Sequence, residues 1–298
     1  MNNHDMNSDD MNTNDFDRNG NGTNRNRAGR PLLRRPSGRL AALVAAAACV
    51  GVLGLTACQG SGSGKDADTA GKGTGTASGA ATKDGAKPAR LLWMGDSIGE
   101  AQAPALGAAM KADGVEFKSM AAAGGGGVVG EIAAPTWESL PRELSSFKPD
   151  VVAYQITTYD WGTPAEQKAA YEKLAKTVKD AGAELVLVSA PPFRIDDFYK
   201  ANEAAIKAAP KSARDVASQH PDEVHFLDAS ALWGDDGSAA KAQRSKDGIH
   251  SCQQGSAAFA QWFDKELGKR YSYTPAPVDQ WATGSWTGDK VYGPLGCK

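Results

Sequence analysis

Short hydrophobic runs alternate with amphipathic segments from about residue 90 to residue 270. Continuous apolar runs of this length are typical of strands that are buried on both faces of a parallel sheet. The runs are Arg90–Met94, Val115–Met120, Asp150–Ile156, Glu184–Ser189 and Val224–Leu227. They predict five parallel strands.

The segments after the third, fourth and fifth runs have helical character. Apolar residues recur at helical spacing between Pro164 and Gly182, where proline suits the first turn and glycine the C-cap. We predict a second helical segment from Ile195 to about His220, interrupted at Pro210 because proline cannot donate the helical hydrogen bond. A last helix is predicted from about residue 254 to 270. Alternating strands and helices predict a three-layer α/β/α sandwich with a five-stranded parallel sheet.

The beginning of the chain has the features of an export signal. Several arginines between Arg30 and Arg39 precede an uncharged run, Leu40–Thr56, which is followed by Ala57 and Cys58. This order predicts a secretory signal peptide with a disordered N-terminal extension over residues 1–57. Leu-Thr-Ala-Cys resembles a bacterial lipobox, in which the cysteine carries the lipid, so we expect Cys58 to be a lipid anchor. The alternative is an uncleaved membrane span, for which the run is slightly short.

Composition divides the remainder of the chain. Residues 58–88 are mostly Gly, Ser, Thr, Ala, Lys and Asp with no apolar period, which predicts a flexible linker after the lipidated cysteine. Residues 89–272 form the predicted catalytic domain, and 273–298 an irregular C-terminal extension. The predicted location is therefore extracytoplasmic, with the protein anchored to the cell membrane as a lipoprotein.

Charge and cysteine content exclude some functions. The formal net charge is −2, whereas binding of a nucleic acid would need a concentrated basic face. A nucleic-acid partner is therefore not expected. Cys49 lies inside the signal run and Cys58 would carry the lipid. Cys252 and Cys297 remain, and two thiols outside the cytoplasm are expected to form a disulfide. The histidines do not cluster with these cysteines at ligand spacing, so no metal site is predicted.

Two short motifs carry the candidate chemistry. Ser97 follows the first predicted strand directly, and Asp247 and His250 lie in the loop after the fifth. Functional residues of parallel sheets gather at the carboxyl ends of the strands. A serine hydroxyl needs an imidazole to take its proton, and the imidazole needs a third group to hold its tautomer. Ser97, His250 and Asp247 are the candidates for these roles.

These motifs resemble those of the SGNH/GDSL hydrolases. The resemblance covers about residues 89–270 and rests on Gly95-Asp96-Ser97-Ile98, the glycine run from Gly124, and Asp247-Gly248-Ile249-His250. It implies a flavodoxin-like fold, serine esterase activity without a cofactor, and oxyanion donors in the backbone N–H groups of Ser97 and Gly124. The family's third block, Gly-x-Asn-Asp, supplies a further donor through its asparagine.

The third block departs from that pattern. Here the chain reads Thr157-Thr158-Tyr159-Asp160, so Tyr159 stands where the family has asparagine. The hydroxyl of Tyr159 or of Thr158 replaces the missing oxyanion donor, or Tyr159 is only a packed aromatic side chain. An aromatic residue followed by an acid resembles SGNH domains that accompany membrane O-acyltransferases of Actinobacteria, as do Pro191-Pro192 and the segment 220–224.

We therefore predict an extracytoplasmic esterase that hydrolyses O-acyl esters of envelope glycans or small acyl esters through an acyl-enzyme on Ser97. One alternative is an O-acyltransferase component, in which a sugar hydroxyl attacks the acyl-enzyme. Another is a binding lipoprotein without turnover. The predicted partners are the acyl ester substrate, the membrane through the lipid anchor, and either an envelope glycan or a membrane acyltransferase.

Overall fold

A parallel five-stranded β-sheet forms the centre of the fold. The computed structural model describes residues 86–240 and 244–297, and the sheet within them has the strand order β2-β1-β3-β4-β5. The strands are β1 (Arg90–Met94), β2 (Glu116–Ser119), β3 (Val151–Gln155), β4 (Glu184–Val188) and β5 (Val224–Leu227). All four pairings are parallel. The predicted α/β fold is confirmed.

The central strands are buried on both faces. In β1, Leu91 and Trp93 belong to one hydrophobic cluster, whereas Leu92 and Met94 belong to another. The side chains of strand β3 alternate between the same two clusters. Because successive side chains of a strand point to opposite faces, the two clusters are the cores above and below the sheet. This explains why the strands appear in the sequence as continuous apolar runs rather than alternating ones.

Helices cover both faces of the sheet. They are α1 (Ser97–Ala112), α2 (Ala134–Phe147), α3 (Pro164–Asp180), α4 (Asp197–Lys200), α5 (Glu203–Gln219), α6 (Ser230–Trp233) and α7 (Gln253–Arg270). Helices α1 and α7 contribute to the core that contains Trp93, and α2, α3 and α5 contribute to the core that contains Met94. The architecture is the predicted three-layer sandwich.

The predicted helix after β3 is confirmed, but the predicted break at Pro210 is wrong. Helix α3 begins at Pro164 with a capping box between Thr163 and Glu166. The segment after β4 is interrupted at residues 201–202 instead, between α4 and α5, and α5 continues through Pro210. Proline removes one helical hydrogen bond, and burial of the apolar face of α5, including Ala209 and Ala213, compensates for it.

The C-terminal extension packs against α1 and α7. It has three short 3₁₀ turns, at residues 278–280, 285–288 and 290–292. Trp281 is buried in the same core as Trp93, and the Tyr292 hydroxyl donates to the Ala101 carbonyl at 2.9 Å. The structure contains the predicted disulfide between Cys252 and Cys297, which are 45 residues apart. A loop of that length corresponds to about 4 kcal/mol in the chain-entropy model.

The N-terminal predictions fall outside these ranges. The predicted signal peptide, the Cys58 anchor and almost all of the linker precede residue 86. In the part of the chain that the structure describes, no helix is long and apolar enough to span a bilayer.

Candidate active site

Ser97 is the first residue of helix α1, at the carboxyl end of β1. The helix is capped by Asp96, whose Oδ1 accepts the Ile98 N–H at 3.0 Å. An N–H in the first helical turn has no acceptor within the helix, and the helix dipole there favours negative charge. The Ser97 N–H is therefore suited to stabilising an oxyanion that forms beside the Ser97 hydroxyl.

His250 joins the serine to a carboxylate. Its Nε2 lies 2.7 Å from the Ser97 Oγ, and its Nδ1 lies 2.7 Å from the Asp247 Oδ2. The structure thus brings together the three candidate residues, although 153 positions separate Ser97 from His250. When Nδ1 donates to the carboxylate, Nε2 carries a lone pair and can accept the serine proton.

Asp247 is held in its ionised form. Partial burial opposes ionisation, but hydrogen bonds from Ser245, His250 and the Ile249 backbone lower the pKa of Asp247 to about 2. Its Oδ1 accepts the Ile249 N–H at 2.7 Å and the His250 N–H at 3.1 Å, which leaves Oδ2 for the imidazole. A fixed negative charge at Nδ1 stabilises the imidazolium that forms during attack.

The loop after β5 is shaped by a glycine and by contacts with its neighbour. Gly248 has a φ of +72°, which favours glycine, and it separates Asp247 from Ile249 in the turn. Arg194, from the loop after β4, donates its backbone N–H to the Gly248 carbonyl and a guanidinium N–H to the Asp247 carbonyl. Arg244 donates similarly to the Pro192 carbonyl at 2.8 Å. These hydrogen bonds connect the loop after β4 with the loop that carries His250, and so fix the position of the imidazole.

The third block is tied to the first by a buried carboxylate. Asp96 Oδ2 accepts the Thr158 backbone N–H at 2.7 Å and the Thr158 hydroxyl at 2.8 Å. Burial raises the pKa of Asp96, and the bonds from Thr158 and Ile98 oppose that shift. Asp96 thereby fixes the strand end of β3 relative to the start of α1. The sequence identifies the motif but not this contact, because Asp96 and Thr158 are distant in the chain.

The glycine run after β2 packs against the backbone of Gly95, two residues before Ser97, at Gly126. A Cβ at Gly126 would lie 1.9 Å from the Gly95 carbonyl oxygen, and its φ is +79°. Gly124, the predicted oxyanion donor, has a φ of +71° and open space beside its α-carbon. Its role as a donor stays a prediction.

The close approach at Gly126 predicts the effect of a single methyl group. We expect Gly126→Ala to lower kcat/KM for p-nitrophenyl acetate by about 10²-fold, since displacing this loop costs about as much as one oxyanion donor. Gly114→Ala is the matched control, because Gly114 also has a positive φ of +72° but no atom within 4 Å of the added Cβ. Unchanged kinetics in Gly126→Ala, with both variants folded by thermal unfolding, would contradict the importance of this contact.

Asp160 anchors the end of the glycine loop that follows β2. Its buried carboxylate accepts hydrogen bonds from the hydroxyl groups of Tyr154 at 2.8 Å, Tyr171 at 2.9 Å and Thr157 at 3.0 Å. It also accepts a hydrogen bond from the Val128 N–H at 3.3 Å. Burial raises the pKa of Asp160, and these hydrogen bonds oppose the shift. The network connects β3 and α3 with the end of the glycine loop. In the sequence, Asp160 is the acid that ends the third block, in the segment that follows the buried strand β3.

Tyr159 lies among aromatic rings. Its ring centroid is 5.4 Å from that of Trp161 and 6.3 Å from those of Phe198 and Tyr199. Burial and the neighbouring Tyr199 raise the pKa of Tyr159 to about 12, so the phenol stays protonated. These contacts favour the packed aromatic side chain over the oxyanion donor, but the assignment of Tyr159 stays a prediction.

Solved structures of other proteins resemble this fold. An α/β hydrolase enzyme from the metagenome of Lake Arreo, Spain, is 19% identical, with 61% of this chain and 96% of that chain covered and a TM-score of 0.48. A catalytic mutant of an acetylxylan esterase from Geobacillus stearothermophilus is 17% identical, with 62% and 95% covered and a TM-score of 0.46. No family model and no curated protein matches the chain. At these values the likenesses carry no functional conclusion.

Proposed function

We propose that this protein is a serine esterase that hydrolyses O-acyl esters through an acyl-enzyme on Ser97. The observation that carries the proposal is the pair of 2.7 Å contacts that His250 makes with Ser97 and Asp247. This arrangement supplies a nucleophile, a general base and a carboxylate that orients the base, at the end of a parallel strand.

The reaction proceeds in two steps. The Ser97 Oγ attacks the ester carbonyl while His250 Nε2 takes the hydroxyl proton, and the N–H groups of Ser97 and Gly124 receive the oxyanion. The tetrahedral intermediate then expels the alcohol, which takes the proton from His250, and leaves an ester between the acyl group and Oγ. In the second step a water molecule attacks the acyl carbon and loses a proton to His250. The resulting tetrahedral intermediate expels the Ser97 Oγ, which takes that proton from His250, and the carboxylic acid is released.

The substrate is proposed from the expected location. A lipid on Cys58 and a linker of about 30 residues would keep the domain near the membrane, since a flexible chain of that length spans roughly 30 Å. That reach favours acylated envelope glycans and short acyl esters over free extracellular lipids. The third block lacks the family's asparagine, and a missing oxyanion donor raises the barrier for every substrate. Hydrolysis of generic esters is therefore expected to be slow.

The acceptor of the acyl group separates hydrolysis from transfer. We expect the full-length protein to cleave p-nitrophenyl acetate slowly and to release acetate as the acyl product, even when a glycan acceptor is added. Acetylated glycan in excess of free acetate would instead identify an acyltransferase. Rapid hydrolysis of long-chain triglycerides would contradict the substrate class, and a protein without any turnover would be the binding lipoprotein.

A further inference from the structure

A cluster of one exposed and two half-buried aromatic rings lies on the segments that follow β3 and β4. Among the described residues, Phe198 is the large hydrophobic side chain that stands exposed, with 59% of its surface accessible. Its ring centroid lies 5.9 Å from that of Trp161 and 6.3 Å from that of Tyr159. We call Tyr159, Trp161 and Phe198 the aromatic rim. Exposed apolar patches on a soluble domain mark binding surfaces.

The aromatic rim lies close to the chain neighbours of Ser97 and His250. Tyr199, whose ring centroid is 4.9 Å from that of Phe198, belongs to a buried cluster with Ile98 and Ile249. Ile98 follows Ser97 in the chain, and Ile249 precedes His250. Trp161 of the aromatic rim packs against the same cluster. The aromatic rim therefore packs beside the segments that carry Ser97 and His250, and the Tyr199 hydroxyl lies 3.5 Å from the Thr158 hydroxyl that donates to Asp96.

The exposure of the Phe198 ring favours the sugar over the acyl chain as the part of the substrate that the aromatic rim binds. An acyl chain gains binding free energy only where its methylene groups are removed from water, and an exposed ring covers such a chain on one side only. A sugar ring has an apolar face of C–H groups and hydroxyl groups around its edge. It can cover an aromatic face while its hydroxyl groups stay solvated. Asp197 and Lys200, both exposed on helix α4, add polar groups next to Phe198.

We propose that the aromatic rim binds a sugar ring of an O-acylated glycan, next to the ester that Ser97 attacks. The inference rests on the proposed esterase function. It assigns selectivity for sugar esters to Tyr159, Trp161 and Phe198, none of which takes part in proton transfer. For Tyr159, the inference assigns the main role, contact with the sugar, to the ring rather than to the hydroxyl.

Substitutions at Phe198 test the proposal with the full-length protein. The probes are acetylated oligosaccharides of glucose and xylose, p-nitrophenyl acetate and p-nitrophenyl octanoate. We expect Phe198→Leu to lower the ratio of kcat/KM for the sugar esters to that for p-nitrophenyl acetate by about tenfold, or about 1.4 kcal/mol. Leucine keeps the apolar volume but lacks the flat face. Phe198→Tyr keeps the face and should retain the wild-type ratio within about twofold.

The outcomes separate the two proposals. An unchanged ratio in Phe198→Leu would overturn the sugar-binding role, as would a wild-type protein that cleaves p-nitrophenyl acetate but neither sugar ester. A selective loss on the octanoate would assign the aromatic rim to the acyl chain and overturn it too. If the wild-type protein cleaved none of these esters, the esterase function itself would fail. Because Phe198 is exposed, thermal unfolding should show that both variants fold.

Discussion

Ser97→Ala is expected to lower kcat for p-nitrophenyl acetate by at least about 10⁴-fold, because the Ser97 hydroxyl is the one that contacts His250 Nε2. The fold should persist. Asp96 rather than Ser97 caps helix α1, and alanine has a high helix propensity. Initial rates and thermal unfolding, measured on the same preparations, test both statements.

A matched serine outside the site controls for the substitution itself. Ser146 is exposed on helix α2, where its hydroxyl donates only to the Glu143 carbonyl. Ser146→Ala should keep wild-type kinetics. If Ser97→Ala retained more than about 1% of the activity while remaining folded, a different nucleophile would have to be sought.

Asp247→Asn is expected to lower kcat by about 10³-fold or more. An asparagine amide can donate to Nδ1 of His250 and so stabilise the tautomer whose Nε2 carries the proton, which cannot accept the Ser97 proton. The neutral amide also removes the charge that stabilises the imidazolium. The carbonyl oxygen of the new side chain can still accept the Ile249 and His250 N–H groups, so the turn should remain.

Asp222→Asn is the control for this change, because Asp222 is exposed in the turn before β5. It should leave kcat unchanged. A loss of less than about tenfold in Asp247→Asn, or roughly 1.4 kcal/mol in the barrier, would make Asp247 a residue that only shapes the loop. Another group would then have to orient the imidazole.

The three central strands, β1, β3 and β4, could be predicted because each is buried on both faces and so appears as a continuous apolar run. The edge strands β2 and β5 are only partly buried. Helix α1 is harder to predict, since its glycines and Pro104 disfavour a helix and its many small side chains give little contrast between its faces. Its packing against α7 selects the helix there. Pro210 misleads for a related reason, because tertiary burial of α5 outweighs the lost hydrogen bond. Where packing decides the local structure, the periodicity of the sequence is a weak guide.

The Ser-Asp-His constellation could be predicted from spacing, because Asp247 and His250 are close in the chain. The Ser97 motif follows β1, and the Asp247–His250 motif lies in the segment before α7. The supporting contacts could not be predicted. Asp160 accepts hydrogen bonds from hydroxyl groups on β3 and α3. In the aromatic rim, Trp161 contacts Phe198, which lies on a different segment of the chain. Such contacts depend on the order of strands in the sheet, which brings distant loops to one edge. The departure at Tyr159 is visible in the sequence, but its aromatic neighbours are not.

Covalent labelling tests the central claim most directly. The full-length protein should react with a fluorophosphonate probe, and peptide mass spectrometry should find the adduct on Ser97. Ser97→Ala should not be labelled, whereas Ser146→Ala should be labelled as the wild type is. An adduct on any other residue of the wild-type protein, or equal labelling of Ser97→Ala, would contradict the assignment of Ser97 as the nucleophile.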